Sequence, residues 1–467
     1  MTRKDKCSEC TTGGGFPVVG DGFSRRRFLR VAGTGLVASY FAEIISPTLL
    51  QSATVSAPLL KNTAKNCILV FLPGAPSHVD MWDLKEGAWT PSALAPTSYA
   101  GNIRFPQGLL PKTAGHLGKL TLVRSGLAWA AVHQLAQTWT QISRNPTGAL
   151  GNISPHIGAV VALESQASRA VSDVLPAFVA LNSANIPKSG YLPAQYAPFG
   201  VQPSVNGLTT LTHPDGTARF NERWGTIQQM DADRVTGQLG KTSLDVDSFY
   251  DQAKTLMDAP DVNRLFAYTP EEHARYGNTA FGDSMVVARN LVGARRGTRF
   301  VQVSMGGWDH HDNIYGAEGN SLFSQCASFD PAFSSLLTDL AAAPGSVQGK
   351  TLLDETLVVV VGEFGRTVGP LNGQGGRDHF LRMSIVFAGG GTRGGRAIGE
   401  TDALGDKVKE YGWSANRDVR PEDVTCTIYS ALGIDYTTIR RDDPLGRGFE
   451  YVPFAKDGVY KPIDELF

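Results

Sequence analysis

Six short, nearly unbroken apolar runs constrain this chain more than anything else in it. They lie at residues 67–72, 120–123, 177–181, 300–303, 357–361 and 383–388. Runs of this length without polar alternation fit strands buried on both faces, as in a parallel sheet. Helical periodicity falls between them, at 157–164, 285–294, 333–342 and 424–432. Alternating strands and helices predict an α/β fold, a layered α/β/α sandwich around a mostly parallel sheet. Residues 184–240 break the pattern with Pro, Gly, Thr and Asn. They read either as a cap over a site or as a surface insertion, since structureless loops of that length are uncommon.

The first 58 residues carry a different signature. Ser24-Arg25-Arg26-Arg27-Phe28-Leu29-Arg30 resembles a twin-arginine export motif, and a modest apolar stretch follows at 31–42. Small residues come next, at 52–53 and 56–57. That order predicts a twin-arginine signal peptide and linker over 1–58, with 59–467 as the folded domain. The alternative is a basic N-terminal arm. Export implies the twin-arginine translocase as a partner and a periplasmic or extracellular location. The segment holds seven Lys/Arg and four Asp/Glu, so its loss takes the net charge from -1 to -4. Such a balance argues against a nucleic-acid binder that works by bulk charge. No apolar run reaches the roughly 18 residues of a stable membrane span. Cys7 and Cys10 would leave with the signal, and Cys67, Cys326 and Cys426 read as packing residues.

Ionisable residues gather where the apolar runs end. In open α/β sheets, ligands bind beyond the carboxyl ends of strands. The first run leads into Gly74, then Ser77, His78, Asp80 and Asp83. The run at 300–303 leads into Gly306-Gly307-Trp308-Asp309-His310-His311-Asp312. Asp309 and His311 point the same way if extended, and so can hold a cation jointly. The valine run ends in Gly362-Glu363-Phe364-Gly365-Arg366. A carboxyl group there is costly unless paired or bound to metal, and Arg366 is a candidate partner or anion clamp. Asp378 and His379 precede the last run and point apart if extended, so one serves as ligand and the other as its support. Asp and His ligands of this kind suit Zn²⁺, Mn²⁺ or Fe more than Ca²⁺ alone. Arg124-Ser125 follows the second run and reads as an anion-binding arginine beside a nucleophile, or as a polar turn. His133 stands outside the group.

These motifs, with Asp423 to Asp435 near the C-terminus, resemble an exported family known as domain of unknown function 1501. That family is similar to the alkaline phosphatase and sulfatase superfamily. The resemblance implies an alkaline-phosphatase-like fold and a metal-dependent hydrolase of phosphate or sulfate esters, with an anionic ester as substrate. The cofactor implied is a divalent metal (Zn, Mn, Ca or Mg). Carried onto this chain, the metal ligands would be Asp80, Asp309, His311, Glu363, Asp378 and His379. Ser77 or Ser125 would be the nucleophile, and Arg124 or Arg366 would bind the anion. The chain departs from the superfamily pattern at Glu363-Phe364, where a histidine is missing. It also lacks the sulfatase C/S-x-P-x-R context. A non-catalytic periplasmic binding or assembly protein on the same scaffold is the alternative.

Overall fold

The computed structural model describes residues 58–467, apart from 209–210, 212, 231–240 and 318. The signal and linker expected over 1–58 lie outside the described residues, Pro58 excepted. An eight-stranded sheet forms the middle layer. Its strands are β1 (Asn66–Phe71), β2 (Leu120–Leu127), β3 (Phe178–Leu181), β4 (Phe199–Val201), β5 (Phe300–Ser304), β6 (Thr356–Val361), β7 (Arg382–Ala388) and β8 (Arg396–Ile398). In space they run β8-β2-β7-β6-β1-β5-β3-β4. β1 pairs parallel with β5 and β6, and β3 pairs parallel with β5 and β4. β8 is parallel to β2. β7 alone runs against its neighbours, β6 and β2.

The longer helices are α1 (His133–Ile142), α2 (Ile157–Ser165), α3 (Gly216–Met230), α4 (Lys241–Met257), α5 (Ala280–Ala294), α6 (Leu322–Ala342) and α7 (Pro421–Ala431). Successive strand residues point to opposite faces, so a strand buried throughout must feed two cores. Ile68, Val70, Val358 and Val360 pack in one core with Met285 and Leu291 of α5 and Leu336 of α6. Cys67, Leu69, Leu357 and Val359 pack in the other with Val160 of α2 and Ile428 of α7. The expected α/β/α sandwich follows from this alternation. Cys67, Cys326 and Cys426 are buried free thiols within these cores. No helix among the described residues is long and apolar enough to cross a membrane.

Three local expectations need correction. The second strand does not end at Val123; β2 continues through Arg124 and Ser125 to Leu127. Both polar side chains are buried there with partners. α6 begins at Leu322 and passes through Pro331, whereas the sequence pattern starts it beyond that proline. Ser321 supplies its N-cap, accepting from the Ser324 amide. α1 has no counterpart in the sequence reading. Within 184–240, the structure places β4 and α3.

Glycine at the end of β1 meets a close backbone approach. Gly74 has φ +109°, and a Cβ there would stand 2.7 Å from the Trp308 amide nitrogen and 2.9 Å from that of Asp309. Gly74→Ala should therefore destabilise the fold by at least about 1–3 kcal/mol, the usual cost of such a backbone strain. Gly373, with open space around it, should tolerate alanine within about 0.5 kcal/mol. Denaturant unfolding of the two variants checks the contrast.

Candidate metal centre

β1, β2, β5 and β6 all point the same way, so their carboxyl ends share one edge of the sheet. β7 runs oppositely, which brings its amino end to that same edge. Four side chains converge there. His133 is the first residue of α1, just beyond β2. Asp309 and His311 follow β5. His379 belongs to a short ribbon, paired with Arg366, that leads into β7. One ligand atom from each of the four lies within 4.8 Å of the others.

Asp309 Oδ1 is the common neighbour. It lies 2.9 Å from His311 Nε2, 3.3 Å from His133 Nε2 and 3.6 Å from His379 Nε2. The histidines present Nε2 because each Nδ1 is engaged elsewhere. His133 Nδ1 donates to Glu363 Oε1 at 2.6 Å, and His311 Nδ1 to Asp378 Oδ1 at 2.8 Å. His379 Nδ1 donates to the Ala131 carbonyl at 2.8 Å. In neutral imidazole, that places an unprotonated Nε2 on each ring. Metal-binding histidines are oriented in this way. Phe364 fills the space behind two of them, its ring centroid 4.8 Å from those of His133 and His379.

The electrostatics favour the charged forms of Asp309 and Asp378. Burial would raise the Asp309 carboxyl, but the Arg366 hydrogen bond and charge outweigh it and hold it at about 2. The hydrogen bond from His311 lowers the Asp378 carboxyl. The hydrogen bond to Glu363, offset in part by burial, raises His133.

Sequence-predicted residues take several places. Asp309, His311 and His379 come together, with His133. Glu363 and Asp378 stand behind them, supporting His133 and His311. Glu363 is fully buried, and its Oε1 also accepts from the Gln137 side chain and the Gly74 amide. Arg366 pairs with Asp309 and not with Glu363, its Nη2 lying 2.5 Å from Asp309 Oδ1. Nη2 also donates to the Gly74 carbonyl, Nε to that of Ala75 and Nη1 to that of Arg377, and Nη1 lies 3.4 Å from His311 Nε2. Asp80 lies outside the four. Arg377 pairs with it at 2.7 Å, and Ser77 and Tyr315 each donate to it at 2.6 Å. Ser125 donates to the Tyr411 carbonyl at 3.2 Å. Arg124 donates to the Asn102 carbonyl and lies 3.3 Å from Asp83. His310 is buried beside the group, and burial lowers it to about 4.

His133 is the member of the group that sequence reasoning missed. No glycine turn or neighbouring acid marks it; its signal was a histidine opening a helix behind a strand end. The arrangement separates two kinds of residue. Removing outer-shell support alone usually costs 10–100-fold in metal affinity, so His133→Ala should weaken zinc binding by about 100-fold or more. Asp80→Ala, which strands the buried Arg377, should cost about 3–5 kcal/mol of stability. Competition titration with a chromogenic chelator and denaturant unfolding measure the two.

Solved structures show similarity over most of the chain. PsFucS1 sulfatase from Pseudoalteromonas sp. is 12% identical, over 86% of this chain and 72% of that one, with a TM-score of 0.40. A protein in the alkaline phosphatase superfamily from Vibrio parahaemolyticus is 9% identical, over 81% and 69%, with a TM-score of 0.37. Alkaline phosphatase from the Antarctic bacterium TAB5 is 15% identical, over 80% and 99%, with a TM-score of 0.29. No curated protein matches the chain. Residues 64–452 match the family described as protein of unknown function (DUF1501), which takes in all the strands and ligand donors above, and the chain belongs to that family.

Proposed function

We propose that this protein is a metal-dependent hydrolase of phosphate or sulfate esters. The observation that carries the reading is the convergence of three Nε2 atoms on Asp309 Oδ1, each ring held by its other nitrogen. The donor set fits a divalent ion. His133 Nε2 is buried without a hydrogen-bond partner. His311 Nε2 and His379 Nε2 face each other at 2.9 Å, a contact of two lone pairs unless a cation or proton lies between them. The carboxylates of Asp309 and Asp378, both favoured as charged, outnumber the one guanidinium of Arg366 by one charge. Imidazole and carboxylate without thiolate suit Zn²⁺, Mn²⁺ or Fe.

A divalent ion in this place supplies Lewis-acid polarisation of an ester oxygen and charge neutralisation for the leaving group. The chain's own residues do the rest. Asp309 and His311 have side chains 45% and 39% exposed, so an ester reaches them from solvent. Arg366 keeps the Asp309 carboxyl ionised. Ser77 and Ser125 both spend their hydroxyls, on Asp80 and on the Tyr411 carbonyl. In this reading the attacking group is therefore water.

A second reading, a binding or assembly protein without turnover, draws on that same engagement of both serines and of Arg366. Assay with p-nitrophenyl phosphate, bis(p-nitrophenyl) phosphate and nitrocatechol sulfate separates the two, with Zn²⁺, Mn²⁺, Ca²⁺ or Mg²⁺ added. At least one ester should turn over in a metal-dependent way and fall to background in His379→Ala. A metal-loaded protein that cleaves none of them leaves the binding role.

The proposed location is periplasmic or extracellular, reached through the twin-arginine translocase. The order of basic, apolar and small residues at the N-terminus supports it. Replacing Arg25 and Arg26 together with lysine should hold the full-length chain in the cytoplasmic fraction of the producing cell, read by immunoblot.

A further inference from the structure

Gln302 sits in the middle of β5 and is fully buried. An amide in such a place costs roughly 1–3 kcal/mol unless its hydrogen bonds are made. Here they are made, and in one sense only. His156 Nδ1 accepts from the Gly158 amide, so its proton is on Nε2, which donates to Gln302 Oε1 at 2.8 Å. Gln302 Nε2 must then face the other way, and it donates to Gln141 Oε1 at 3.0 Å. Gln141 Nε2 in turn donates to the main-chain carbonyl of Gln137, one turn back on α1, at 3.0 Å. Gln137 Nε2 donates to Glu363 Oε1 at 3.0 Å, the oxygen that holds His133 Nδ1.

His133, Gln137 and Gln141 are four residues apart, so they lie along one face of α1. The series therefore fixes both the rotation of α1 about its axis and the orientation of Glu363. We propose that Gln302, Gln141 and Gln137 are positioning residues for His133, coupling the centre of the sheet to one donor of the metal centre. This inference rests on reading the four-residue group as a metal site. A purely structural role would stabilise α1 without favouring any ligand.

Cobalt(II) binding to the full chain, followed by visible absorption, tests it. Gln302→Met and Gln137→Met should each weaken cobalt binding on the order of 10-fold and alter the visible band. In a His133→Ala background, Gln302→Met should cause no further loss, because the donor it serves is gone. Unchanged affinity and band in the methionine variants would overturn the proposal. So would an equal loss in both backgrounds. If Gln302→Met does not fold, Gln137→Met decides by the same two comparisons. A wild-type chain that binds no cobalt removes the metal reading and this inference with it. A cobalt-binding wild type beside unaffected variants removes the inference alone.

Discussion

A single carboxylate oxygen, Asp309 Oδ1, organises the functional edge of this protein. Arg366 reaches it from one side and three imidazoles stand around it. The guanidinium is itself buried, which would be prohibitive without compensation. Its compensation comes from Asp309 and from main-chain carbonyls on the loops after β1 and before β7. Those bonds tie the segment of Asp309 and His311 to the segment of His379 and to the loop after β1. The pairing of Asp309 with Arg366 is thus an electrostatic contact and also a brace between loops far apart in sequence.

Sheet topology makes that convergence cheap. Four strands deliver their carboxyl ends to one edge, and the one reversed strand delivers its amino end. His379 precedes its strand whereas the other donors follow theirs, and the reversal of β7 removes the conflict. Close packing then holds the segments in register. Besides the contact at Gly74, a Cβ on Gly376 would come within 2.1 Å of the His311 carbonyl carbon. Backbone approaches this tight leave His311 little room to drift.

Much of this was legible in the sequence. The apolar runs mark the strands of the sheet's interior, and the glycine-rich ends mark its functional edge. Asp309 and His311, two residues apart, do meet, though in a turn beyond β5 and not in extended chain. Of Asp378 and His379, only His379 joins the four-residue group, while Asp378 accepts from His311 Nδ1. What sequence could not supply was partnership over long separations. His133 depends on Glu363, 230 residues away, and no local pattern encodes that. Arg124 and Ser125 looked like the polar end of a strand because their partners, Asp83 and the Tyr411 carbonyl, also lie in distant segments.

Asp80 and Asp309 show why acids at strand ends are hard to sort by sequence alone. Each follows a glycine turn and lies near histidines. Asp80 is 1% exposed, and its two oxygens receive four hydrogen bonds, two from Arg377 and one each from Ser77 and Tyr315. Its capacity as an acceptor is nearly filled by groups that never leave the fold. Asp309 keeps a half-exposed side chain and meets its partners through one oxygen. A buried acid saturated by fixed donors braces the structure, while an acid that retains solvent access and stands among three imidazole nitrogens suits the cation proposed above. Burial and the count of fixed donors, both products of tertiary folding, therefore distinguish residues that the local sequence presents as equivalent.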